Sequence, residues 1–181
     1  MSTLKLNNLE AATGTTINIA SGDKISGASG AIAVPGSVVQ TVNATHNTEI
    51  TTASTSFVAT ALNALITPKF STSKILVSFS LPVYSASGTH VVGTVFRETG
   101  TAASGDAISG TNLGSSSWGF SSVYDPSAGN MGGVHCSGIF DSPSTTSQLR
   151  YTVACLSHNG GTVYAFINGA MATLVVQEIA Q

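Results

Sequence analysis

At 181 residues, with 42 % hydrophobic side chains and a mean hydropathy of +0.30, the chain has material for one ordinary domain core and a short extension. Only 8 % of its residues are charged and the net charge is −2; roughly a quarter are charged in an average soluble domain, so the surface must be solvated by Ser, Thr, Asn and Gly or buried against other subunits. The six basic residues, Lys5, Lys24, Lys69, Lys74, Arg97 and Arg150, are scattered with no two closer than five positions, which excludes a phosphate-neutralising nucleic-acid surface.

No apolar run approaches the roughly 20 residues of a membrane-spanning helix. Residues 1–14 lack the apolar stretch of a secretory signal, so synthesis in a cytoplasm is expected.

The first 25 residues hold tiny alternating runs. Leu4 and Leu6 flank Lys5, Ile17 and Ile19 flank Asn18, and turn signals lie at Thr13-Gly14 and Ser21-Gly22. Strands of this size cannot bury a core alone. Leu4, Leu6, Leu9, Ile17 and Ile19 therefore read as an attachment or oligomerisation surface, covered by another chain or by the main domain. Residues 26–35, rich in Ser, Gly and Ala, read as a linker.

Residues 36–181 read as one all-β domain. Pro, Gly and Ser punctuate short β-branched runs with period-2 alternation. Val38, Gln40 and Val42 are expected on one face, with Val39 and Thr41 on the other. Phe57, Ala59 and Ala61 form the next face. Ile75, Val77, Phe79, Leu81 and Val83 make a long apolar face backed by Leu76, Ser78 and Ser80. Strands follow at Val91 to Glu98, Val134 to Phe140, Leu149 to Leu156, Val163 to Ile167 and Ala172 to Ile179. That makes about eight strands, the number of a jelly roll. Residues 99–133 show no clear alternation and read as a long loop. One echo, Ala20-Ser-Gly-Asp-Lys-Ile-Ser-Gly27 against Ala103-Ser-Gly-Asp-Ala-Ile-Ser-Gly110, has unmatched flanks and signals shared turn chemistry, not a repeat architecture.

Catalytic patterns are weak. His46, His90, His135 and His158 lack zinc-site spacing, and there is no C-x-x-C. His135 and Cys136 are strand neighbours and point to opposite faces, which argues against a thiol nucleophile. Cys136 and Cys155 read as free, buried thiols. Asp106 and Asp125 read as solvated turn acids, too few for a calcium site. No enzyme activity, cofactor or metal is expected. Trp118 and Tyr124, on a Gly/Ser-rich stretch, have two readings: packing in the core or a subunit interface, or contact with a receptor such as a host surface glycan.

Two segments carry a resemblance: the run Ile66-Thr-Pro-Lys-Phe-Ser-Thr-Ser-Lys-Ile-Leu-Val-Ser-Phe79 and the run Phe140-Asp-Ser-Pro-Ser-Thr-Thr-Ser-Gln-Leu-Arg-Tyr-Thr-Val153. With Ser56-Phe57-Val58, Gly160-Gly-Thr-Val163 and Thr173-Leu-Val-Val-Gln-Glu-Ile179, they resemble a β-structured module of virion proteins of tailed phages, especially those of marine bacteria. Residues 3–9 and 13–23 resemble an N-terminal element shared by such proteins. The resemblance is poor across residues 99–133. It implies an antiparallel jelly-roll-like β-sandwich with a short N-terminal β extension, assembled as a homotrimer. It further implies a virion structural protein: a short fibre or appendage that docks through its N-terminus on other virion proteins and presents its head outward for host attachment. Alternatives are a capsid decoration protein and a bacterial lectin-like or adhesin-like module.

Overall fold

The computed structural model describes residues 34–86, 88–99, 108–127 and 131–181. The N-terminal element, with Leu4, Leu6, Leu9, Ile17 and Ile19, lies outside the described residues, as do most of the linker, Asp106 and most of the echo.

The strands are β1 (Val38–His46), β2 (Ile50–Thr52), β3 (Val58–Ile66), β4 (Lys74–Ser85), β5 (Thr89–Thr99), β6 (Thr111–Asn112), β7 (Ser121–Asp125), β8 (Met131–Asp141), β9 (Leu149–Ser157), β10 (Val163–Ala165) and β11 (Ala172–Ile179). A 3-10 turn at Ile167–Gly169 separates β10 from β11. All pairings are antiparallel.

Several short strands share a line. β11 and β10 both pair with β4, and β1 and β2 pair with β11 and β10 respectively. β6 and β7 both pair with β5. One sheet therefore runs β1/β2, β11/β10, β4, β8, and the other runs β3, β9, β5, β6/β7. Numbering these lines along the chain gives the order 1-8-3-6 facing 2-7-4-5. This is the jelly roll expected from strand count.

The core lies between the inner faces. Ile75, Val77, Phe79, Leu81 and Val83 of β4 are all buried, as the alternation predicts. They meet Leu62 and Ile66 of β3, Tyr151 and Val153 of β9, and Val91 and Val95 of β5. Cys136 and Cys155 are free and buried, on opposite sheets. Burial pushes the Cys155 thiol up to about 12.

Two expected faces are wrong: in β1 a bulge shifts the phase, and in β3 the buried phase is the opposite one throughout, from Val58 to Ile66. In β1 the register slips between Val38 and Gln40. Val38 is exposed, while Gln40 and Val42 turn inward. In β3 the slip lies between Ala59 and Asn63, where Ala61 has φ 62°. The buried set is Thr60, Leu62, Ala64 and Ile66, not Phe57, Ala59 and Ala61. Thr60 Oγ1 donates to Val153 O at 2.8 Å across the interrupted ladder.

The stretch read as a long loop, residues 99–133, is also corrected. It contains β6, β7 and the start of β8. These strands are rich in Ser, Gly and Asn and lack the apolar alternation that announces a strand.

Glu178 closes one end of the sandwich. Its carboxylate is fully buried. Oε1 accepts from the backbone N–H groups of Lys69 at 2.8 Å and Phe70 at 3.1 Å, and Oε2 accepts from Gln40 Nε2 at 2.6 Å. Three donors replace the lost water and tie the β3–β4 turn and β1 to β11.

Candidate functional site: a ring cluster on the outer face

On β5, Val91 and Val95 point into the core, so His90, one position away from Val91, points outward. The β5–β7 register sets His90 opposite Tyr124. Their ring centroids are 4.4 Å apart, tilted by 31°. His158 follows the end of β9, and its backbone N–H donates to His90 O at 3.0 Å. That bond brings its imidazole onto Trp118, stacked at 4.1 Å with 20° between planes. His90 also meets Trp118 edge-on at 5.6 Å and His158 at 6.0 Å. Four rings from three strand ends and one turn thus form a single cluster.

The turn carrying Trp118 is pinned. Ser115 and Gly119 exchange backbone hydrogen bonds of 3.1 and 3.0 Å. Ser115 Oγ accepts from the N–H groups of Trp118 at 3.3 Å and Ser117 at 3.4 Å. Phe120 N–H donates to Gly93 O at 2.8 Å, tying the turn to β5. Gly119 sits at φ 53°, and a Cβ there would lie 2.1 Å from Gly93 O. Only glycine permits this approach. Yet Trp118 remains 45 % exposed and Tyr124 52 % exposed, so neither is a core residue of this chain.

The structure brings together Trp118 and Tyr124, the residues named as receptor candidates, and adds His90 and His158. In the sequence these two histidines stand 68 positions apart and carry no motif. Their shared position depends on register, which no local signal carries. Asp125, beside Tyr124, is buried, and its Oδ1 accepts from Ser127 N–H at 3.1 Å, so it is not the solvated turn acid expected. His135 is exposed and Cys136 buried, on opposite faces of β8. Among the described residues no three His, Cys, Asp or Glu side chains gather as a metal site. Among them, too, no helix is long and apolar enough to cross a membrane.

A second polar group lies near one end of β5. Arg150 Nε donates to Glu98 Oε2 at 2.9 Å, and its Nη2 reaches the same oxygen. Beside it Arg97 Nη1 donates to Asp141 Oδ1 at 2.6 Å, and Tyr151 Oη donates to Asp141 Oδ2 at 2.8 Å. Burial, then the charge of Asp141, raises the Tyr151 phenol well above its ordinary value. A cleft of about 410 Å³ adjoins the group, lined by Arg97, Glu98, Thr99, Ser109, Gly110 and Thr111. Its two charged side chains already bond within the protein, which marks the group as structural.

Glu98 makes this group sensitive to acid. Burial alone would raise its carboxyl, but hydrogen bonds from Ser109 N–H and Arg150, and the charge of Arg150, outweigh burial and hold it below the usual carboxylate range. A folded-state pKa below the unfolded one stabilises the fold above the unfolded value, about 4.3, and that contribution is lost as pH falls through the folded value. Urea midpoints measured down the acid range should therefore fall below about pH 4.3, and less steeply in Glu98→Gln. An identical slope in the variant would contradict this assignment.

No protein-family model matches the chain, and no curated protein matches it. Among solved structures, a chain of infectious bursal disease virus strain Gt aligns at TM-score 0.42 with 12 % identity, covering 78 % of this chain and 38 % of that one. A chain of strain Gx aligns at TM-score 0.38 with 14 % identity, covering 78 % of this chain and 36 % of that one. This chain thus spans well under half the length of either. At this similarity neither a fold nor a role passes from those chains to this one.

Proposed function

We propose that this chain is a non-enzymatic structural component of a phage virion, a short trimeric fibre or appendage. Its first 25 residues dock on other virion proteins, and its sandwich faces outward toward the host. The phage assignment rests on the sequence resemblance. The two segments that carry it include the first halves of β4 and β9, central strands of the two sheets.

The observation that carries assembly is where the charges go. Of the nine charged residues described, Glu98, Asp125, Asp141, Arg150 and Glu178 are buried and Arg97 is half-buried, leaving Glu49, Lys69 and Lys74 exposed. The outer face of the β1–β11–β4–β8 sheet is consequently almost free of charge. Its cross-strand rows read Thr41, Gln177, Leu76, Phe140; then Asn43, Val175, Ser78; then Thr45, Thr173, Ser80, His135; then Thr51, Tyr164, Tyr84, Met131. This platform is roughly 26 Å along the strands and about 14 Å across them, by strand rise and spacing. Phe140 and Met131 are 62 % and 58 % exposed on it. A sheet face whose one charge is Lys74, at the start of β4, and which carries open apolar side chains fits permanent contact with neighbouring subunits.

Light scattering at micromolar concentration should return a homotrimer; a stable, well-behaved monomer refutes the trimer. A chain beginning at Ala31 should still fold into the β-sandwich but no longer join the particle. Normal incorporation of that shortened chain refutes the docking role. Locating the protein in a reconstructed particle separates the appendage from a capsid decoration protein.

A further inference from the structure

We propose that the four-ring cluster is a binding site for neutral carbohydrate, in which sugar rings stack on the open surfaces of Trp118 and Tyr124 while His158 and His90 brace those rings. The inference deepens the outward-facing role above, but it rests on the geometry of the cluster and stands whether or not the protein belongs to a virion.

Three observations carry it. First, the two large rings are exposed yet held. His158 stacks on Trp118 at 4.1 Å, and His90 lies against Tyr124 at 4.4 Å. The Ser115–Gly119 bridge and the Phe120 bond to Gly93 O fix the turn below Trp118. Rings ordered in this way lose little freedom when a ligand arrives. All these contacts lie within one chain, so no second subunit is needed to hold the rings.

Second, the chemistry is amphipathic in the way a sugar is. Flat aromatic faces match the apolar C–H faces of a pyranose. Ser116, Ser117 and Ser122 are exposed beside them and offer hydroxyl donors and acceptors.

Third, among the described residues no exposed Asp, Glu, Lys or Arg belongs to the strand ends and turn that build this surface. Glu49 precedes β2, Lys69 lies in the β3–β4 turn and Lys74 opens β4, all away from the strand ends and turn that build the cluster. The site therefore selects for an uncharged ligand over an acidic or basic one.

Trp118 is the single tryptophan of the chain, so its fluorescence reports the site directly. The full chain is titrated with maltohexaose, cellohexaose, laminarihexaose and chitohexaose, each to about 10 mM, a range that captures weak sites. At least one hexamer is expected to give a saturable change in Trp118 emission. Tyr124→Ala keeps the reporter and should weaken binding by about tenfold, while Tyr124→Phe, which keeps the ring, should bind as the parent does. The melting temperature of each variant is followed in parallel, so that lost folding is not mistaken for lost binding. The absence of a saturable change with all four hexamers overturns the proposal. So does a Trp118 emission that shifts on dilution of the protein alone, because the cluster would then be a subunit contact.

Discussion

Arg150→Met is expected to destabilise the fold by about 3–5 kcal/mol, the usual result of removing one partner from a buried ion pair. Arg150 is 7 % exposed and Glu98 5 % exposed. The Glu98 carboxylate is held by two nitrogens of Arg150 on one oxygen and by Ser109 N–H at 2.7 Å on the other. Without Arg150 the carboxylate keeps its burial and loses its counter-charge. Such a group costs more than the intact pair contributes. The double variant Glu98→Gln with Arg150→Met should therefore recover much of the loss, because it removes the stranded charge. Urea denaturation of both, at one protein concentration so that any subunit equilibrium is held constant, measures the difference. A loss below about 1 kcal/mol in the single variant would mean that water reaches Glu98, and the pair would count as a surface one.

Phe79→Ala should cost a similar amount, about 3–5 kcal/mol, through a different mechanism: lost burial plus the cavity left behind. Phe79 is 4 % exposed, at the middle of β4. Its ring meets Phe120 edge-on at 6.5 Å, joining one sheet to the turn that leads into β7 of the other. Opposite it, β5 carries Gly93, where an added Cβ would lie 2.6 Å from Val134 Cγ2 and 3.5 Å from Phe79 Cε2. The sheets approach closely there because a side chain is missing, and the space is filled by Val134 of β8 and, behind it, Phe79. Gly93→Ala should consequently destabilise by overpacking, in the range of about 1–3 kcal/mol. In thermal melts the Phe79→Ala loss is a fall of roughly 6 °C or more for a chain of this size. A change under about 1 kcal/mol would mean that the ring does not fill the core.

The inward face of β4 was legible in the sequence because its inner-face alternation runs from Ile75 to Val83 without a break, and one period-2 face is buried wherever register holds. The same signal located most of β5, β8, β9, β10 and β11, and their number announced the jelly roll. β1 and β3 show the limit of that signal. In β1 one inserted residue, at Val38/Gln40, reverses the face beyond it; in β3 two extra residues, at Ala59/Asn63, leave the phase unchanged, and the small or polar Thr60 and Ala64 on its inner face do not announce which phase is buried. Composition alone does not mark where a bulge falls.

Tertiary structure alone decided the destinations of the charged residues and the make-up of the ring cluster. Glu98 and Arg150 lie 52 positions apart and meet only because β5 pairs with β9. Trp118 and Tyr124 were conspicuous as aromatics in a Gly/Ser-rich stretch, but His90 and His158 join them through cross-strand register and a backbone bond at the end of β9. Local alternation shows which way a strand side chain points; the partner it meets is set by long-range pairing, which depends on every element between them.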